Sequence, residues 1–168
     1  KSRINDFASK NNMSAVEKAQ LIMLLAQPDN VQYAFDHDCP ELLLGDEKCN
    51  LLEDDKQGKG FREYCRFPTE TMHDKRGDCD CHAAFVAALF AACGYSCCYI
   101  CADIKQEGHA AVGLLITDDL KVFVKGNLTF KWEGKSYLYI ETAGKGWHIG
   151  EIPPGFQDML LGAAAVVD

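Results

Sequence analysis

Long apolar runs, clustered basic residues and internal repetition are all missing from this 168-residue chain. No stretch approaches the roughly 18 apolar residues that a membrane-spanning helix needs. No signal peptide is visible either. Lysine and arginine number 17 against 25 aspartates and glutamates, a formal net charge of -8. The longest basic run is Lys75-Arg76, whereas a phosphate-binding surface needs clustered cations, which argues against nucleic acid as a partner. The paired Cys-x-x-Cys knuckles of zinc sites and the spacing of an EF-hand are absent too. No low-complexity segment occurs.

What remains is the make-up of one globular domain spanning residues 1–168. Hydrophobic residues at 48% and charged residues at 25% are enough for a single sizeable core. Because the chain starts at Lys1, it is expected to be a processed or excised part of something longer. Its compartment, cytoplasmic or extracytoplasmic, is unknown. Nine cysteines is a high and odd number. In an oxidising compartment most would pair; in a reducing one they act as small buried hydrophobes. Either way one thiol stays free unless two chains are bridged. For Cys39, Cys49 and Cys65, disulfide and plain thiol are both open.

Ser14-Ala15-Val16-Glu17 has the form of a capping box, opening a helix that runs to Gln27 and stops at Pro28. Val16, Ala19, Ile22 and Met23 supply its apolar stripe. Residues 29–75 are irregular and rich in turn formers, with a flexible tip at Gly58-Lys59-Gly60, and are expected to shape a substrate cleft. A second helix is predicted from Asp78 to Cys93, closed by Gly94 and apolar almost all round, as a buried central helix is. Five short strands follow at 95–102, 109–116, 120–124, 128–132 and 137–142, separated by turn residues. The apolar tail at 159–167 reads as a final helix or the stump of a longer apolar segment. Helices first and strands afterwards predict an α+β fold, an antiparallel sheet packed on the central helix.

The start of that helix carries the chemistry. With Asp78 as N-cap, its carboxylate is expected to accept the amide of Asp80 or Cys81. Cys79 then occupies the first helical position, where its amide has no intrahelical partner and can hold an oxyanion. The helix dipole favours a thiolate there. Gly77 is expected to keep the approach to the sulfur open. Asp78 and Asp80 oppose the thiolate, so a cationic partner is needed. Of the five histidines, His82 belongs to the helix itself, while His109 opens a strand before the small residues Ala110-Ala111-Val112-Gly113. His148, in a loop, is the reserve. Strand alternation puts Tyr137, Tyr139 and Glu141 on one face, where Glu141 can orient the imidazole.

These segments resemble the transglutaminase-like superfamily. Gly77-Asp78-Cys79-Asp80 is similar to its nucleophile motif, and the helix closes on Phe90-Ala91-Ala92-Cys93-Gly94-Tyr95 as the family's does. Gly108-His109-Ala110-Ala111-Val112-Gly113 resembles the family's histidine strand, and Tyr137-Leu138-Tyr139-Ile140-Glu141-Thr142-Ala143 its acid strand. Gly150-Glu151-Ile152-Pro153, Gln27–Tyr33 and Arg66–Thr71 resemble segments of microbial members. The likeness spans residues 20 to 154 and follows the order Cys, His, acid. Glu141 stands where Asp is commoner, and Cys81 and His82 depart from the usual acid and nonpolar residue.

The resemblance implies a papain/transglutaminase-like core and a Cys79–His109–Glu141 triad. It also implies a thioester intermediate on a protein or peptide substrate, with Gln27 as second oxyanion donor. Hydrolysis is favoured; transfer to an amine, or a catalytically silent binding module, are the alternatives. No cofactor and no metal are expected. The rival zinc reading of Cys79-x-Cys81-His82 with Cys97, Cys98 and Cys101 lacks paired knuckles, and alternation splits 97 and 101 from 98. Tyr64, Phe67 and Trp147 are candidates for lining a groove, or for plain core.

Overall fold

The computed structural model describes residues 3–27, 29–35, 65–104, 107–123, 128–156 and 159–167. Pro28, His37, Cys39, Cys49, the tip at 58–60, Tyr64 and the turn at 126–127 lie outside them.

The capping box forms as the sequence predicts. The Glu17 amide donates to the Ser14 hydroxyl at 3.2 Å, and the Ser14 amide donates back to the Glu17 carboxylate at 2.8 Å. This starts helix α2 (Ala15–Ala26), which buries Ala19, Ile22, Met23 and Ala26. Ahead of it lies helix α1 (Arg3–Lys10), not predicted from sequence although Ile4, Phe7 and Ala8 carry a short helical stripe of which only Ala8 is buried. Within the stretch read as irregular, a two-residue strand β1 (Gln32–Tyr33) pairs in parallel with β2 (Arg76–Gly77). Between them Pro68 opens a short helix, α3 (Pro68–Asp74). A 2.5 Å ion pair joins buried Arg66, two residues ahead of the helix, to Asp74 at its end.

Helix α4 (Cys79–Ala92) buries Cys81, His82, Ala83, Phe85, Val86, Ala87 and Phe90. Gly94, at φ 87°, closes it in the left-handed conformation that glycine tolerates. The chain then forms β3 (Cys97–Ile104), β4 (Glu107–Leu115), β5 (Thr129–Trp132), β6 (Lys135–Ile140) and β7 (Leu160–Val167). They make one curled antiparallel sheet in the order β5-β6-β4-β3-β7. On one face Cys97, Val112, Leu114, Leu138 and Ile140 pack with α4 and α2 into the main core. On the other, Cys98, Ile100, Ala111, Tyr137 and Tyr139 form a second cluster. Cys97 and Cys98 thus alternate as expected, and Cys101 is exposed. The fold is α+β. Among the described residues no helix is long and apolar enough to cross a membrane.

Two expected elements differ. Residues 160–167 are a strand, not a helix. An all-apolar run fits either period, and the open edge of β3 supplies the hydrogen-bond partners that decide it, from Cys97↔Val167 to Asp103↔Leu160. Residues 118–123 form a 3-10 helix in place of a strand at 120–124. The Leu120 amide donates to the Thr117 carbonyl and its side chain is buried, while Lys121 pairs back to Asp118. A tight turn that plugs one leucine into the core replaces the ladder.

Candidate active site

Cys79 is the first residue of α4. The β1–β2 pairing delivers it: Tyr33 lies opposite Gly77, and the Ala34 amide donates to the Gly77 carbonyl at 3.0 Å. Asp78 is the N-cap, extended at φ -93° and ψ -159°, but its carboxylate makes no capping hydrogen bond. Its Oδ1 has no partner, and neither does Oδ1 of Asp80. Burial first, and then the hydrogen bond and negative charge of Asp80, push Asp78 up to about 7, against the thiol and then the amide of Cys81, which pull the other way. Gly77 is required by packing, since a Cβ there would overlap Cβ of Cys81.

The register of the sheet brings the other two residues to this end. Strand β6 stops at Ile140, opposite Val112 on β4. Glu141 follows the end of that ladder, and His109 lies three residues before Val112. Glu141 is buried, and its Oε2 meets Nε2 of His109 at 3.0 Å. The Tyr139 hydroxyl donates to the same oxygen at 2.9 Å, and the Ala143 amide donates to Oε1 at 2.9 Å. Burial would raise the Glu141 pKa, but these bonds and the His109 charge bring it below the ordinary carboxylate value. Burial likewise works against a charged His109. The hydrogen-bonding contact with the Cys79 thiol and the bond to Glu141 overcome it, raising the imidazole to about 9. Phe156 stands edge-on to the ring at 5.2 Å between centroids. With Nε2 turned to Glu141, Nδ1 is left for the sulfur.

Gln27 is buried, and its carboxamide is engaged at both ends. Nε2 donates to the Trp147 carbonyl at 2.7 Å, and Oε1 accepts the Gly146 amide at 3.0 Å. It clamps the loop that lays Trp147 against the same core as Cys79. A Cβ on Gly144 would run into the Trp147 indole, so glycine is needed for that loop to fold. His148 is exposed and paired with Glu151 at 3.2 Å. His82 is fully buried and stacked on Tyr33 at 6.0 Å; neither ring nitrogen makes a well-formed hydrogen bond, and burial lowers its pKa against the backbone groups of Ala26, Gln32 and Thr142, which raise it. Phe67 is exposed and Trp147 half-buried.

Sequence reasoning placed Tyr139 on the face of Glu141 without giving it a role; the alternation that paired them was the available signal. Phe156 and Tyr33 were missed as site residues. The Tyr33 hydroxyl lies against both the thiol and the backbone amide of Cys79; burial, then the charges of Cys79 and Asp78, raise its pKa. Among the described residues one cluster has metal-ligand spacing, Asp78, Asp80 and Cys81, with ligand atoms within 4.8 Å of one another. It differs from the cysteine–histidine set weighed from sequence. Compared with protein-family models, curated proteins and solved structures, the chain matches none.

Proposed function

We propose that the chain is a cysteine-dependent amidohydrolase or peptidase, built on a papain-like core of the transglutaminase-like kind that its motifs resemble. One observation carries the reading. His109 is bonded to buried Glu141 at 3.0 Å and contacts the Cys79 thiol on its remaining side, at the start of a helix. An imidazole held charged up to about 9 is the partner a thiolate needs at neutral pH.

His109 takes the thiol proton, and the sulfur attacks an amide carbonyl. The Cys79 amide stabilises the developing oxyanion. As the tetrahedral species collapses, the C–N bond breaks and His109 gives its proton to the departing amine, leaving a thioester. Water then attacks with His109 as base, releasing the acid and restoring the thiol. Glu141, fixed by Tyr139 and Ala143, holds the ring's orientation and supports its charge. An amine in place of water would give transglutamination; among the described residues nothing marks an amine pocket, which favours hydrolysis.

The test is iodoacetamide labelling from pH 4 to 9, mapped by mass spectrometry, on the native protein and His109→Ala. Labelling is expected to concentrate on Cys79 among the seven described free thiols, and to lose that selectivity in the variant. Uniform labelling in both proteins would favour a silent binding module.

A further inference from the structure

The oxyanion site has one donor from the helix, the Cys79 amide, and Gln27 is committed to the 146–147 turn through both ends of its carboxamide. The side chain placed to supply a second donor comes from β1. The β1–β2 register pins the Tyr33 backbone opposite Gly77, two residues before Cys79. Its ring lies stacked on buried His82 at 6.0 Å and edge-on to Phe35 at 5.4 Å, so the phenol is held from two sides. Its hydroxyl meets both the sulfur and the amide of Cys79, the two groups that flank the oxygen of a tetrahedral adduct.

We propose that Tyr33 is a catalytic residue, its hydroxyl donating the second hydrogen bond to the oxyanion formed on Cys79. The inference rests on the thiol reading above and adds a donor to the same site. In the free protein the phenol oxygen occupies the place beside the Cys79 amide. When the sulfur adds to a carbonyl, the substrate oxygen enters between amide and hydroxyl, and the phenol turns its hydrogen onto it. The step moves no proton from Tyr33; it stabilises charge that builds up on oxygen.

Two electrophiles separate this role from support of the thiol itself. Alkylation by iodoacetamide forms an S–C bond at a saturated carbon and builds no oxyanion. Acylation by p-nitrophenyl acetate passes through one: the S–C bond forms, the C–O bond to p-nitrophenolate breaks, and the thiol proton goes to His109. In Tyr33→Phe, single-turnover acylation of Cys79 is expected to fall about a hundredfold. Alkylation should stay within about twofold of the native rate. Circular dichroism and Tm check that the variant is folded. For a variant that has lost its fold, Phe35→Leu, which loosens the phenol without removing it, gives the second reading, with a smaller loss confined to acylation. Unchanged acylation, or an equal fall in both reactions, overturns the proposal. Native Cys79 no more reactive than the other thiols overturns the nucleophile reading, and this one with it.

Discussion

The two ends of α4 are built on opposite principles. At its C-terminus the orphan groups are answered locally. The Tyr95 amide donates to the Phe90 carbonyl at 3.0 Å, and the Lys18 ammonium donates to the Cys93 carbonyl at 3.1 Å. The Tyr95 hydroxyl bonds the Ala15 carbonyl, and Lys18 lies over the Tyr95 ring at 4.6 Å. At its N-terminus the opposite holds: an N-cap carboxylate without a capping bond, two unpartnered carboxylate oxygens and a buried imidazole with no well-formed hydrogen bond at either nitrogen. Both ends belong to one helix in one core, so the difference is not one of general quality. One end is arranged for stability. The other keeps polar groups unmatched where a thiol, an imidazole and a carboxylate meet, the local conflict expected of a working site.

The largest effect should come from cutting the orienting carboxylate. Glu141→Gln is expected to lower turnover of a cleaved substrate about a hundredfold or more, since it removes the charge that supports the imidazolium. It should also change the pH dependence of stability. His109 has its folded pKa raised from 6.5 to about 9, so its contribution is complete below 6.5 and disappears as pH rises through about 9. In Glu141→Gln that decline in Tm should be smaller and end at lower pH, because the hydrogen bond and charge of Glu141 are two of the causes of the raise. A Tm–pH curve identical to that of the native protein would show that the pair is not coupled.

At the other end the comparison predicts the reverse pattern. Lys18→Met removes a charged donor from the Cys93 carbonyl and should cost about 1 kcal/mol of stability in denaturant unfolding. The rate of Cys79 alkylation should not move. A change in alkylation without a change in stability would break the division of labour.

The smallest effect, and the one of opposite sign, concerns His82. The buried imidazole makes no well-formed hydrogen bond, so it recovers little of its desolvation cost from the Ala26, Gln32 and Thr142 backbone groups beside it. His82→Met should therefore leave stability unchanged or raise it by about 1 kcal/mol. A large loss would mean that the backbone groups of Ala26, Gln32 and Thr142 beside the ring hold it more firmly than their geometry suggests.

Much of this was legible in local pattern. The capping box at Ser14, the glycine stop at Gly94, and the alternation that sends Cys97 and Cys98 to opposite faces are short-range effects with one physical outcome each. Cys79, His109 and Glu141 were readable as candidates because motif and alternation singled them out, and the structure places them side by side. The rest depended on partners far away in the chain. Tyr33 sits on a two-residue strand, too short for any period, whose only specification is its pairing with residues 76–77. Residues 160–167 carry a run of small and apolar residues that suits helix and strand alike, and only the vacant edge of β3 chooses. Gln27 is drawn to the 146–147 turn across 119 and 120 residues, a bond no local rule anticipates.

That β3–β7 pairing also sets the order in which the protein can be made. Synthesis reaches residues 160–167 only after β3, β4, β5 and β6 have been made. Until then β3 carries an unpaired edge bearing Cys97, Cys98 and Ile100, and closing it means joining segments some sixty residues apart in sequence. Such late, long-range closure is slow relative to local folding, and an open apolar edge is a template for other chains. The nascent protein is therefore most exposed to misassembly in the interval between its fourth large-sheet strand and its fifth.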